Sequence, residues 1–319
     1  MCQFSIIVPC YKMGDNVVQL FEMLHAEDYE DYEVVFVDDC SPDETYARLQ
    51  KEKEGYSNYF VYQTPKNGGP GPARNFGLSK VKGKYVLFCD SDDVFDSSCL
   101  KKMDAFLRAH EDAEMVVFPL IVKRGESESL NDTYIKYRDG EKMKVSDVVL
   151  GNGAPYCKVF VRDIIEKNAI TFPKRMTGED IVFCVTYAGC IQNAYKSGVV
   201  YYTYVMNESS ITHTHKSPLD EPTTFDLLYE IYHEKFPEIE VVRFVDSHLL
   251  TKAKNLCAAK VSNRQIKEFF DRENKRYPNW IEQVDYDNQS IYRKMIYSAM
   301  YHNRPWMIKA IMWIRRILY

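Results

Sequence analysis

The sequence predicts an α/β fold in which a mostly parallel central sheet is flanked by helices and followed by a helical C-terminal extension. Three observations lead there. Apolar, β-branched runs of strand length recur as far as Cys89, helix-like patterns separate them, and beyond Pro218 the strand pattern gives way to helical periodicity.

The strand-like runs are Phe4 to Val8, Glu33 to Val37, Tyr59 to Gln63 and Lys84 to Cys89, each short and nearly continuous, as strands buried on both faces require. Helix-like segments lie between them at Asn16 to His25, Pro42 to Glu54 and Gly71 to Lys80. That alternation implies crossover connections and parallel pairing. Met115 to Val122 reads as one further strand, and the polar stretch Gly125 to Lys144 as a mobile or hairpin-forming excursion. Lys158 to Arg162 and Val199 to Val205 read as later strands, with helix-like segments after Arg162 and Gly178. The organisation expected is a domain of residues 1–216, with halves 1–110 and 111–216, then a mainly helical extension, 217–319.

With 319 residues and 45% hydrophobic positions the chain can bury a substantial core. A net charge of -5 gives no general attraction for nucleic acid, so an anionic ligand needs a local site. Nine scattered cysteines with no C-x-x-C pair suggest reduced, buried thiols and a cytoplasmic chain. Phe4 to Val8 follows the start without a basic stretch or long apolar region, so no secretory signal is expected.

Polar or acidic residues follow the strand-like runs, where open α/β sheets gather ligands: Asp38 and Asp39, then Asn67 to Gly69, then Asp90 to Asp93. In the last cluster Asp90 and Asp92, separated by Ser91, can converge on a hard divalent cation, Mn²⁺ or Mg²⁺. The alternative reading is a cluster of acids at the start of a helix over Val94 to Leu107.

Four segments occur in order: IIVPCY from Ile6 to Tyr11, VFVDDCSPD from Val35 to Asp43, NGGPGPARNFGL from Asn67 to Leu78, and GKYVLFCDSDD from Gly83 to Asp93. This succession closely resembles the family 2 glycosyltransferases of GT-A fold, a Rossmann-like architecture. The likeness is dense over about the first 105 residues and resumes between Tyr156 and Thr212. It implies an inverting transferase that moves a sugar from a nucleotide diphosphate donor, a UDP-sugar, to a hydroxyl of a glycan or lipid-linked oligosaccharide in surface polysaccharide synthesis. Residues 1–110 would form the nucleotide-sugar-binding half and 111–216 the acceptor-binding half.

The resemblance also implies roles. Asp39 would accept a hydrogen bond from uracil N3–H, with Pro9 and Tyr11 lining the base and Asp38 capping or supporting the loop. Arg74 would contact the base or the diphosphate, or else pair structurally with Asp90 or Asp38. Asp90 would sit near the ribose, Asp92 would ligate the metal, and Asp93 would cap the following helix. In the segment TGEDIVF from Thr177 to Phe183, Asp180 matches the general base and Glu179 would orient the acceptor. The competing reading of that pair is a capped helix start at Thr177. The segment NESSITHTH from Asn207 to His215 resembles one that closes over donor phosphates, making His213 a candidate metal ligand and His215 its alternative.

From Pro305 to Tyr319 the chain reads as a helix with Lys309 and Arg316 on one face and Trp306, Trp313 and Ile317 on another. That pattern suits contact with an anionic membrane surface, and equally packing on the protein's own core or on a second subunit. Departures from the family pattern are Lys12 in place of a common Asn, Cys40 in place of Gly, Pro70 and Pro72 in the third loop, and Tyr156-Cys157 in place of Trp-Asn. An NAD-dependent dehydrogenase is disfavoured because the Gly-rich stretch follows the third strand-like run instead of the first. A sugar nucleotidyltransferase would need a Gly-rich, Arg-containing phosphate loop after the first. A glycan-binding protein that kept the fold without turnover is the non-enzyme alternative, and the carboxylates Asp39, Asp92 and Asp180 speak against it.

Overall fold

The computed structural model describes residues 2–26, 28–174, 178–206, 223–259 and 261–318, with side chains through Ile314. The chain divides into two compact units, Met1–Thr214 and His215–Tyr319.

The first unit opens with β1 (Phe4–Cys10), α1 (Val17–Leu24), β2 (Tyr32–Asp38), α2 (Thr45–Glu52), β3 (Tyr59–Gln63), α3 (Pro70–Leu78) and β4 (Tyr85–Phe88). It continues with β5 (Val94–Phe95), α4 (Leu100–Ala109), β6 (Met115–Val117), β7 (Leu120–Arg124), β8 (Ser127–Asn131), β9 (Lys142–Met143) and α5 (Val145–Leu150). The remainder is β10 (Lys158–Val161), α6 (Arg162–Lys167), α7 (Glu179–Ala188), β11 (Ala194–Lys196) and β12 (Tyr202–Val205). An eight-stranded sheet has the order β3-β2-β1-β4-β10-β6-β11-β9, and β3, β2, β1 and β4 run parallel. This is the α/β architecture with a mostly parallel sheet that the sequence predicts.

Alternation along β1 divides the core. Ile6 and Val8 face the cluster containing Phe36, Leu20, Phe21 and Met103, whereas Ile7 faces the cluster containing Val35, Val37, Phe88, Ala73 and Phe183. Helices cover both faces, which is why the strands read as unbroken apolar runs. Phe36 is fully buried and stacks on Phe21 at 4.2 Å between ring centroids, so Phe36→Ala would cost about 3–5 kcal/mol through lost transfer energy and a cavity.

A second sheet, β5-β12-β7-β8, accounts for two corrections. The run Met115 to Val122 is two strands in different sheets, because Pro119, which has no N–H to donate to a ladder, follows Phe118 between β6 and β7. The helix expected from Val94 begins only at Leu100, since Val94 and Phe95 pair with Thr203 and Tyr202. The turn Asp90–Asp93 therefore joins the large sheet to the small one. Where the polar excursion begins, β7 and β8 form a hairpin whose turn holds Gly125 at φ 57.

The second unit is helical. Its longer helices are Thr224–Lys235, Asn263–Arg276, Ile291–Tyr301 and Pro305–Leu318. Thr223 with Asp226 and Ser262 with Gln265 form capping boxes that satisfy otherwise orphaned N–H groups. A π-helical segment, Phe244–Leu249, presents buried His248 between Asp226 and Glu273, at 3.3 Å and 3.2 Å. Burial opposes the imidazolium charge, but both acids outweigh it and the His248 pKa is raised.

Candidate functional site

The site is built around the N-terminal end of α3. Gly69 precedes that helix at φ 91, a backbone conformation that disfavours a side chain. Asp39, just past β2, holds this entry: its carboxylate accepts Gly68 N–H at 3.0 and 3.1 Å, Gly69 N–H at 2.7 Å and the Thr64 hydroxyl at 2.9 Å. Because Gly68 N–H is shared between both oxygens, three donors make four contacts with a carboxylate that offers about four acceptor positions, so a further donor would take over one of Gly68's two contacts. Asp38 supports the same region, accepting Ser41 N–H at 3.1 Å and the Gln63 amide at 2.9 Å.

Arg74, on α3 and 2% exposed, joins acids that are far apart in sequence. Nη2 donates to Asp90 Oδ1 at 2.6 Å and Nη1 to Asp180 Oδ1 at 2.7 Å, with Glu179 Oε1 3.6 Å from Nη1. Of the two structural pairings open to Arg74, the structure has Asp90 and not Asp38, and adds Asp180. Burial works against the guanidinium charge, yet Asp180 and Asp90 outweigh it and raise its pKa.

Glu179 and Asp180 begin α7, after Gly178 at φ 84. Thr177, the expected cap, lies outside the described residues, and Asp180 turns to Arg74. Glu179 is buried against the start of α3, where Gly71 N–H bonds to it and a Cβ on Gly71 would fall 2.7 Å from its Oε2. Burial, then the neighbouring Asp180 charge, push its pKa up to about 7 although Arg74 pulls it down. The Asp180 pKa is likewise raised, by burial first and then Asp90, against the opposing pull of Arg74. A third of the Asp180 side chain and a quarter of the Asp90 side chain remain exposed, so both acids can meet a ligand.

In the turn after β4, Asp92 is exposed, whereas Asp93 is buried. Asp93 does not cap the next helix: its carboxylate accepts the Tyr202 hydroxyl at 2.5 Å and Val205 N–H at 2.8 Å, tying the turn to β12. Burial raises its pKa to about 7 against those two bonds. Among the described residues no three His, Cys, Asp or Glu side chains form a ready metal cluster. The oxygen donors of Asp90 and Asp92 fit a hard cation that takes its other ligands from diphosphate and water, as Mg²⁺ commonly does. His213 and His215 lie outside the described residues.

Pro9 sits where β1 outruns β4, whose pairing stops at Ile7, so its missing N–H breaks no bond on that side. Tyr11 is exposed, with Lys12 Nζ 5.3 Å from its ring centroid. Lys12 and Cys40 both have left-handed backbone, φ 55 and 54, and these are the positions where the family commonly has Asn and Gly.

Two features escaped the sequence reading. Lys158 is buried and its ammonium donates to Asn152 O and Ala154 O, both at 2.6 Å, fixing the loop before Tyr156. Tyr156 in turn stacks with Tyr202 and Tyr204, at 4.5 and 5.9 Å between centroids. A lysine inside an apolar strand was the available signal for the first; nothing in local sequence points to the second.

Residues 5–168 match the model of Glycosyl transferase family 2. The chain is 30% identical over 187 residues to the poly(ribitol-phosphate) beta-N-acetylglucosaminyltransferase TarS of Staphylococcus aureus, covering 57% of this chain and 32% of that protein. It is 31% identical over 186 residues to a poly(ribitol-phosphate) beta-glucosyltransferase of Bacillus spizizenii, covering 57% and 28%. The match therefore spans about a third or less of these relatives' lengths. Among solved structures, residues 1–349 of S. aureus TarS in complex with UDP-GlcNAc superpose with a TM-score of 0.73 at 20% identity, over 98% of this chain and 91% of that one. That likeness establishes the GT-A fold.

Proposed function

The chain belongs to glycosyl transferase family 2, and from that premise we propose that it is a metal-dependent, inverting glycosyltransferase. The donor is a UDP-sugar carrying a hexose or N-acetylhexosamine, and the acceptor is a hydroxyl of a glycan or lipid-linked oligosaccharide in the synthesis of a surface polysaccharide. The relatives' names speak for a poly(ribitol-phosphate) acceptor, and the TarS complex speaks for a UDP-linked sugar.

One observation carries the reading: a single buried guanidinium joins Asp90, from the donor half, to Asp180, from the acceptor half. An acceptor hydroxyl is a poor nucleophile until it loses its proton. Asp180 takes that proton as the new C1–O bond forms and the bond from C1 to the β-phosphate oxygen breaks, in one in-line displacement that inverts the anomeric carbon. Glu179 orients the acceptor, while Asp39, Pro9, Tyr11 and Asp90 hold the nucleoside. Arg74 fixes Asp90 and Asp180 relative to one another, which preorganises the two halves. Asp92, with Asp90 beside it, would hold Mn²⁺ or Mg²⁺, and a cation bound there supplies neutralisation of the departing diphosphate.

The test is UDP release from a panel of UDP-sugars, offered with a ribitol-phosphate polymer or a lipid-linked saccharide, in Mn²⁺, in Mg²⁺ and after chelation. Asp180→Asn should lower turnover about 10²–10⁴-fold while UDP affinity changes little. A fully active Asp180→Asn enzyme would remove Asp180 as the base, and turnover unaffected by chelation would remove the metal.

A further inference from the structure

In the second unit, the helix Pro305–Leu318 packs inward through Ile308 and Ile311, which are fully and almost fully buried. Lys309 turns its ammonium to the carbonyl of Val261 at 2.8 Å. The helix is thereby anchored on its own unit, yet Trp306 is 64% exposed, Trp313 65% and Ile314 46%. Trp306 and Trp313 are seven residues apart, two turns, and so share a face. Beside this helix runs Ile291–Tyr301, joined to it where the Tyr292 hydroxyl meets Met312 Sδ at 3.7 Å, and it leaves Ile291 and Met295 exposed as well. Single exposed apolar residues are ordinary; two tryptophans on one helix face beside further apolar residues are not.

The sequence around this face has one sign. Residues 302–319 contain Arg304, Lys309, Arg315 and Arg316 and no Asp or Glu, in a chain of net charge -5. A second copy seated on this helix would bring one basic, acid-free segment against another, which disfavours a two-fold contact. No helix among the described residues is long and apolar enough to cross a membrane. Exposed indole rings on a helix whose sequence carries basic and no acidic residues are the composition of one that lies in a lipid headgroup region.

We propose that the helix Pro305–Leu318 is a docking surface for an anionic lipid bilayer, entered by Trp306, Trp313 and Ile314. This rests on the second unit alone and is independent of the transferase reading.

The test uses the full chain and vesicles of phosphatidylcholine with and without phosphatidylglycerol. The protein should sediment with the anionic vesicles and not with the neutral ones, with a blue shift of tryptophan emission, and salt should weaken binding because each cation near the surface contributes about fivefold. Trp306→Ala with Trp313→Ala should reduce binding more than tenfold while the circular dichroism spectrum and UDP affinity stay as in the parent, since both side chains are exposed. Arg315→Glu with Arg316→Glu should also release the protein, by reversing charge without touching the tryptophans. Equal sedimentation with neutral and anionic vesicles, no sedimentation with either, or a double tryptophan variant that instead breaks a dimer in solution would each overturn the proposal.

Discussion

Arg74→Met removes the one cation that Asp90, Asp180 and Glu179 share while keeping a long apolar stem on α3. The wild-type site has two charge-assisted bonds, at 2.6 and 2.7 Å, and a third carboxylate at 3.6 Å. Breaking a buried pair by removing one partner costs about 3–5 kcal/mol, because the remaining charge stays uncompensated. For a unit of this size a loss of 1 kcal/mol lowers Tm by roughly 2–4 °C, which gives a fall of about 10 °C. The loss must depend on pH. A carboxyl whose native pKa is raised contributes stability that is complete below its unfolded value and is lost as pH rises through the native one; for Glu179 the window already runs from 4.5 to about 7. Without Arg74 the native values move higher, so the deficit should be largest at about pH 8 and much smaller at about pH 5, where the acids take protons. Thermal unfolding of variant and parent across that range is the assay. Arg74→Lys should recover only part of the deficit, since one ammonium does not reproduce a planar fork between two carboxylates. An equal Tm loss at every pH, or none, would refute the shared-cation account.

Other outcomes follow from particular residues. Cys40→Gly relieves a left-handed residue at φ 54; the strain removed, about 1–2 kcal/mol, exceeds the added backbone entropy, so Tm should rise slightly with UDP affinity unchanged. Gly71→Ala puts a methyl 2.7 Å from Glu179 Oε2 and should lower turnover about 10–100-fold with a smaller effect on UDP affinity, read by steady-state kinetics and calorimetry. His248 has a raised pKa, so its contribution to stability is complete below its ordinary 6.5 and fades as pH rises through the higher native value. His248→Gln should therefore flatten the pH dependence of unfolding in neutral to mildly alkaline solution; an unchanged slope would mean that Asp226 and Glu273 do not hold a charged imidazole.

The parallel strands were legible because burial on both sheet faces leaves an unbroken apolar signature, as in Ile6 to Val8 and Val34 to Val37. The acids were legible because they stand directly after such strands. The pairing of Arg74 with Asp90 was one of two alternatives open in the sequence, but the link to Asp180 was not legible: Arg74 and Asp180 are 106 residues apart, and local sequence treats Glu179-Asp180 as an ordinary helix start. The reading of Asp93 as a cap failed for a related reason. An acid just before a helical pattern scores as a cap, but here Val94 and Phe95 are captured by β12, a strand more than a hundred positions later, and Asp93 goes with them. Tertiary pairing also divided Met115 to Val122, where Pro119 was the available warning.

The arrangement of charges bears on the base proposed for transfer. A carboxylate paired alone with a buried arginine is a poor proton acceptor, because the cation stabilises its ionised form. Asp180 escapes that outcome: Arg74 is divided between it and Asp90, and burial together with the Asp90 charge leave its pKa raised. The same division holds Asp180 by Oδ1 to a rigid helix while a third of its side chain stays open. General base catalysis asks for that combination of fixed position, access from one side and a proton affinity above that of a free aspartate. In this site the shared cation supplies the fixed position, while burial and the Asp90 charge supply the proton affinity against its pull, so Arg74, and not any single carboxylate, is the residue on which the geometry depends.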